Sequence, residues 1–153
     1  MIARRTVLLS VTALASGLPG AALAQFERFA IAELSIVTAG GRRKFTVELA
    51  VTPAQMMQGL MFRRTMAADA GMLFDYGHPV NASMWMKNTF IPLDMLFVGA
   101  DGRIVNIHER AVPQSLDPIA AAAPVRAVVE LNGGTVARLG IKPGDRVILP
   151  GGG

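Results

Sequence analysis

The sequence predicts a mainly β domain with two short helices, folded as a compact antiparallel β-sandwich or small barrel. Three observations carry this. Short runs alternate apolar and polar residues at period two, the pattern of half-buried strands. Gly, Pro, Asp and Asn clusters separate these runs at the spacing of a sandwich or barrel. The connections are tight, which favours antiparallel neighbours.

The elements follow in order. Residues 1–24 have the layout of a cleavable secretory signal. Arg4 and Arg5 give a positive start, Thr6 to Leu18 is apolar, and Ala22-Leu23-Ala24 supplies the small residues of a cleavage site before Gln25. The apolar run of 13 residues is too short for a membrane span, which needs about 20. No full twin-arginine pattern surrounds Arg4 and Arg5, so the ordinary secretory route is expected over it. The protein is therefore expected in the periplasm or secreted, as one domain over residues 25–153 with no membrane span after cleavage. No Cys at the cleavage point offers a lipid anchor.

In the mature part, Ala30 to Val37 and Lys44 to Ala50 flank Ala39-Gly40-Gly41 as a hairpin. Thr52, Pro53 and Gln55 form a helix start with a capping box, and Gly59 ends that helix. Leu60, Met61 and Phe62 are expected to pack inward. Gly71 to Phe74 reads as a buried strand, Asp75 to Pro79 as a turn and Asn81 to Thr89 as a further strand. Leu93 to Val98 and Arg103 to His108 flank Gly99-Ala100-Asp101-Gly102, a strong hairpin signal. Ala111 to Pro124 is a loop with one expected helical turn at Ile119 to Ala123. Val125 to Leu131 alternates as a strand, Thr135 to Leu139 is a short helix closed by Gly140, and Arg146 to Leu149 is the last strand.

Composition removes several function classes. Losing Arg4 and Arg5 leaves 13 basic residues against 11 acidic ones, a net charge of +2. With one Trp and one Tyr, and no concentrated basic face, nucleic-acid binding is not expected. The absence of cysteine excludes thiol catalysis and Cys-ligated metals, and an exported domain without disulfides must bury a sufficient core. There is no Gly-x-Ser-x-Gly elbow, His-Glu-x-x-His pair or phosphate loop, so no catalytic residues and no cofactor are assigned.

A string of blocks runs through the mature chain. Gly59-Leu60-Met61-Phe62-Arg63, Gly71-Met72-Leu73-Phe74, Trp85-Met86-Lys87-Asn88-Thr89 and Ile91-Pro92-Leu93-Asp94 are followed by Val129-Glu130-Leu131-Asn132-Gly133-Gly134 and Gly140-Ile141-Lys142-Pro143-Gly144-Asp145. In this order they resemble the domain of unknown function 192 (DUF192) family over about residues 31–149, with the Trp-Met-Lys-Asn-Thr block the most specific. The resemblance implies a compact, mostly β fold, often behind a signal peptide, and implies no activity.

The candidate ligand-binding residues are Trp85, Lys87, Asn88, Thr89, Asp94, Glu130 and Arg63. As a strand, residues 84–90 would put Trp85, Lys87 and Thr89 on one face and Met84, Met86, Asn88 and Phe90 on the other. One reading is a pocket for a small polar molecule or envelope partner, with Trp85 as a platform and polar groups around it. The other is a buried Trp whose neighbours satisfy backbone groups at the Pro92 bend. Glu130 lies in an apolar strand, either exposed on its outer face or held by Arg63, Lys87 or Arg126; exposure is the commoner arrangement, and burial would make its acidity informative. Two alternatives stay open. Eight methionines besides Met1, among them Met56, Met57, Met61, Met84 and Met86, could hold copper with His78 or His108, because soft thioethers select Cu(I); against this, Met is also flexible core filler. Asp94 and Glu130 could form the carboxylate pair of a hydrolase of envelope polysaccharide.

Overall fold

The computed structural model describes residues 26–151; the expected signal peptide lies outside the described residues. Strands β1 (Ala30–Thr38) and β2 (Gly41–Ala50) form the first hairpin, paired in register from Ala30–Leu49 to Thr38–Gly41. Helix α1 (Pro53–Gln58) carries the anticipated capping box: Thr52 Oγ1 accepts from the Gln55 amide at 3.2 Å, and Gln55 Oε1 accepts from the Thr52 amide at 3.1 Å. There follow β3 (Ala70–Val80), β4 (Ser83–Met84), β5 (Leu93–Val98), β6 (Ile104–Ala111), β7 (Ile119–Ala120), β8 (Val125–Asn132), α2 (Thr135–Leu139) and β9 (Arg146–Ile148).

Seven strands form one sheet in the order β6-β5-β8-β3-β2-β1-β9, and β4 pairs with β7 beside it. The sheet curls until its two edges meet at one end. There the Val147 amide donates to the Gly102 carbonyl at 2.7 Å and the Ile104 amide to the Asp145 carbonyl at 2.9 Å. The result is a small, mostly antiparallel barrel. Its parallel pair is β2 with β3, where residues 51–69, including α1, supply the long crossover a parallel connection needs.

Apolar residues are buried on both sides of the curled sheet. Leu34, Ile36, Phe45, Leu73, Val129 and Leu131 fill the inside. Met72, Phe74, Met95, Phe97 and Val128 line the outside, beneath Leu60, Ala82 and Met86. Hence β5 is buried at every residue, which a half-buried strand would not be. Gly71 allows β3 and β8 to close up: a Cβ there would sit 2.5 Å from the Glu130 carbonyl oxygen.

Four local expectations are corrected. Only Ser83–Met84 of the segment 81–89 is a strand. Beyond it the chain turns at Lys87–Asn88, because the Met86 amide donates to Ser115 O, the Thr89 amide to Met86 O, and Asn88 adopts φ 54°. Asparagine tolerates that left-handed conformation better than most residues. Asp75 to Pro79 is no turn; β3 runs through it with a register shift, and Gly77 at φ 73° absorbs the irregularity. Residues 119–120 form β7 against β4 in place of a helical turn. Leu60 is buried, but Phe62 points outward at 47% exposure, since its amide is drawn to the Asn88 carbonyl at 2.8 Å and its φ is 66°.

Candidate functional site

The site begins with a carboxyl group in an apolar row. Directly paired residues share a sheet face, and Glu130 on β8 lies between Met72 on β3 and Met95 on β5. Both methionines are fully buried and Glu130 is 4% exposed, so the expectation of an exposed glutamate is corrected. The segments Gly59–Met61 and Ser83–Thr89 lie over this part of the outer face, and a pocket of about 240 Å³ remains between them and the sheet. Glu130, Thr89, Phe74 and Tyr76 contribute to its lining, as do the methionines Met56, Met57, Met61 and Met84. Trp85 and Lys87 stand at the mouth, 43% exposed and exposed respectively. The pocket continues into a groove of about 420 Å³ bounded by Glu27, Ala54 and Asn88.

The carboxyl has no cation of its own. Among the described residues the ion pairs are Lys44 with Glu33, Arg63 with Glu48 and Arg126 with Asp75. Lys87 lays its ammonium over the Trp85 ring, 5.1 Å from the centroid. Burial therefore pushes the Glu130 carboxyl up to about 8, because water no longer stabilises the charge. The Tyr76 hydroxyl is also raised, first by burial and then by the nearby Glu130 charge. Two weak hydrogen bonds hold the walls: Tyr76 Oη donates to Met84 Sδ at 3.7 Å, and Asn88 Nδ2 to Met61 Sδ at 3.9 Å.

The structure brings Trp85, Lys87, Thr89 and Glu130 to one pocket and puts Asn88 at its rim. The other candidates lie elsewhere. Asp94 pairs with Leu131 while Met95 pairs with Glu130, so the two carboxylates occupy opposite faces and form no hydrolase pair. The Asp94 carboxylate accepts hydrogen bonds from the Arg110, Gly134 and Val136 amides, a structural use. Arg63 clamps Glu48 in a bidentate pair. Of the copper candidates, Met84 lines the pocket, Met86 is buried in the core, and His108 is exposed on β6. Among the described residues no three His, Asp or Glu side chains cluster for a metal.

Tyr76 is a lining residue that sequence reasoning passed over, as is Ser83. Met72, Phe74 and Tyr76 follow at period two along β3, and that period was the available signal. Placing residues 75–79 in a turn hid it.

Fold and pocket together define a small curled-sheet β domain with a pocket above a buried carboxyl. The chain belongs to the DUF192 family, described as uncharacterized ACR, whose model matches residues 35–149. No functionally curated protein matches the chain. One similar solved structure is described as a candidate transcription regulator from Sinorhizobium meliloti 1021. It is 53% identical, with a TM-score of 0.77, covering 80% of this chain and 96% of that one. Another is a protein of unknown function from Novosphingobium aromaticivorans DSM 12444. It is 49% identical, with a TM-score of 0.75, covering 76% of this chain and 84% of that one.

Proposed function

We propose that this protein is an exported binding domain of the cell envelope whose pocket holds a small molecule above Glu130. The observation that carries this reading is a buried carboxyl, without a described partner, opening into a cavity of about 240 Å³. A charged-type group kept in an apolar row is unfavourable for folding alone, and a concave site where polar groups such as Thr89, Lys87 and Glu130 converge among apolar side chains is suited to a ligand. With no second carboxylate in its lining, the pocket offers Glu130 as a binding group. Export rests on the N-terminal pattern. Mass spectrometry of protein recovered from a periplasmic fraction should give Gln25 as the first residue; a full-length cytoplasmic product overturns that part.

Trp85 is the single tryptophan and stands at the mouth, so its fluorescence reports occupancy. A panel of small amines, carboxylates, sugars and alcohols should contain a class that shifts its emission saturably. Ser83→Phe places a ring against the opening from an exposed strand position and should abolish the response, with stability changed by no more than about 0.5 kcal/mol. Silence across the whole panel at millimolar concentration overturns the reading.

A second reading is favoured by the thioethers of Met56, Met57, Met61 and Met84 lining the same pocket. Thioethers select Cu(I). Under this reading the protein retains one Cu(I) against a competing chelator, and Met61→Leu with Met84→Leu releases it. Metal lost from the unmodified protein at micromolar levels removes copper from consideration.

A further inference from the structure

We infer that the pocket's ligand is a small organic cation, a primary or quaternary ammonium that exchanges for the proton of Glu130. The inference rests on the binding reading above and names its ligand class.

Four observations converge on it. The Glu130 carboxyl is buried and opens into the pocket, and each nearby cation that could answer it is engaged elsewhere: Arg63 on Glu48, Arg126 on Asp75, Lys87 on the indole. Of the acidic groups nearby, Glu48 and Asp75 are held in ion pairs and Glu27 bounds the adjoining groove, whereas Glu130 is the acid in the pocket lining and is left to meet something that enters. The walls suit a cation, because aromatic faces at Tyr76 and Trp85 attract positive charge and thioethers are polarisable. The Lys87 ammonium over Trp85 is such a contact already made at the mouth. Finally, a pocket of about 240 Å³ is far more than a bare metal ion fills, since a single water has a share of only about 30 Å³ in the liquid.

The titratable groups that face Glu130 are few. Tyr76 approaches from β3, Lys87 lines the mouth and Glu27 bounds the adjoining groove; α1 and β4 bring no charged residue, and β5 presents Met95. The carboxyl is therefore favoured as the neutral acid, because it is buried without an ion-pair partner and the Lys87 ammonium is held over the Trp85 ring. Entry of an ammonium stabilises the carboxylate, and the displaced proton leaves to solvent. Charge in the pocket is balanced: one proton goes out for each cation that enters. A neutral alcohol of the same shape has no such exchange to drive it.

The test titrates the full mature protein with n-butylammonium chloride, tetramethylammonium chloride and n-butanol, following Trp85 fluorescence and calorimetry in two buffers of different ionisation enthalpy. At least one ammonium should bind saturably, release close to one proton near pH 6.5, and gain about tenfold in affinity per pH unit up to the titration of Glu130. Glu130→Gln should weaken it tenfold or more and flatten that pH dependence, while Lys87→Ala, by removing a like charge at the mouth, should tighten it. The proton release is read in the unmodified protein, so the test survives a variant that folds poorly. If n-butanol binds as well as the ammonium ions, or an ammonium binds with no proton release, the cation inference falls and the binding reading stands. If Cu(I) binds with proton release and both ammonium ions fail, the ligand is a soft metal and the inference is overturned. If these probes and the wider panel are all silent, both readings fall.

Discussion

Glu130→Gln should make the protein more stable than the unmodified form at pH 8 to 9, and the advantage should shrink toward pH 5. The sign follows from proton binding. The unfolded chain gives up the Glu130 proton near the ordinary value of 4.5, whereas the folded chain keeps it until about 8. Between those values the folded state holds more protons, so stability falls as pH rises. Below about 4.5 both states are protonated and the loss is absent; above about 8 both are ionised and it is complete. The shift corresponds to a penalty on the order of 5 kcal/mol at alkaline pH, at roughly 1.4 kcal/mol per unit. Glutamine keeps the shape and cannot ionise, so this contribution to the slope disappears. Urea midpoints at pH 5, 7 and 9 measure it. Parallel slopes in both proteins would mean that the carboxyl is hydrated or paired in solution. A domain typically has only about 5–15 kcal/mol of stability, so a carboxyl kept at this position works against the fold. That is the expected signature of a group retained for what it binds.

The legibility of this chain in its sequence divides along a physical line. Contacts set by neighbours in sequence were readable. The β1–β2 hairpin follows from Gly40-Gly41, the α1 cap from Thr52 and Gln55, and the β5–β6 turn from Asp101-Gly102. Contacts set by distant segments were not. The second covering layer over β5 and β8 is invisible in an alternation pattern, yet it decides that Glu130 is buried. The segment after Met84 keeps an alternating, strand-like composition, but Ser115 draws the Met86 amide away and Gln114 donates to the Thr89 carbonyl, so no ladder forms. The cluster around Trp85 was therefore found by composition, while the face assigned to each residue was not. Asp94 shows the same limit from the other side. A carboxylate near a polar block reads as a site residue, and only the register reveals that it faces away from Glu130.

Asp94→Ala should destabilise the fold by roughly 3–5 kcal/mol, with no direct effect on the pocket. The carboxylate is fully buried on β5. Its Oδ1 accepts from the Arg110 amide at 2.8 Å and the Gly134 amide at 3.0 Å, and its Oδ2 accepts from the Val136 amide at 2.8 Å. It thereby ties the end of β6 to the connection between β8 and α2, where Gly134 supplies no capping side chain of its own. Alanine would leave three backbone donors without this acceptor. Each buried donor left unsatisfied costs about 1–3 kcal/mol, and partial access of water to Arg110 and Gly134 sets the sum toward the lower half of that range. Asp94→Asn should fall between the two. Its carbonyl can still serve Arg110 and Gly134, but its amide nitrogen would meet the Val136 N–H donor to donor. Hydrogen exchange gives the residue-level check: the Arg110, Gly134 and Val136 amides should lose protection first in Asp94→Asn, while residues 41–50 of β2 keep theirs. An Asp94→Ala protein within 1 kcal/mol of the unmodified form would contradict this role. The two carboxylates would then separate cleanly by experiment, since replacing Asp94 weakens the scaffold, whereas replacing Glu130 relieves it at alkaline pH and takes the carboxyl out of the pocket.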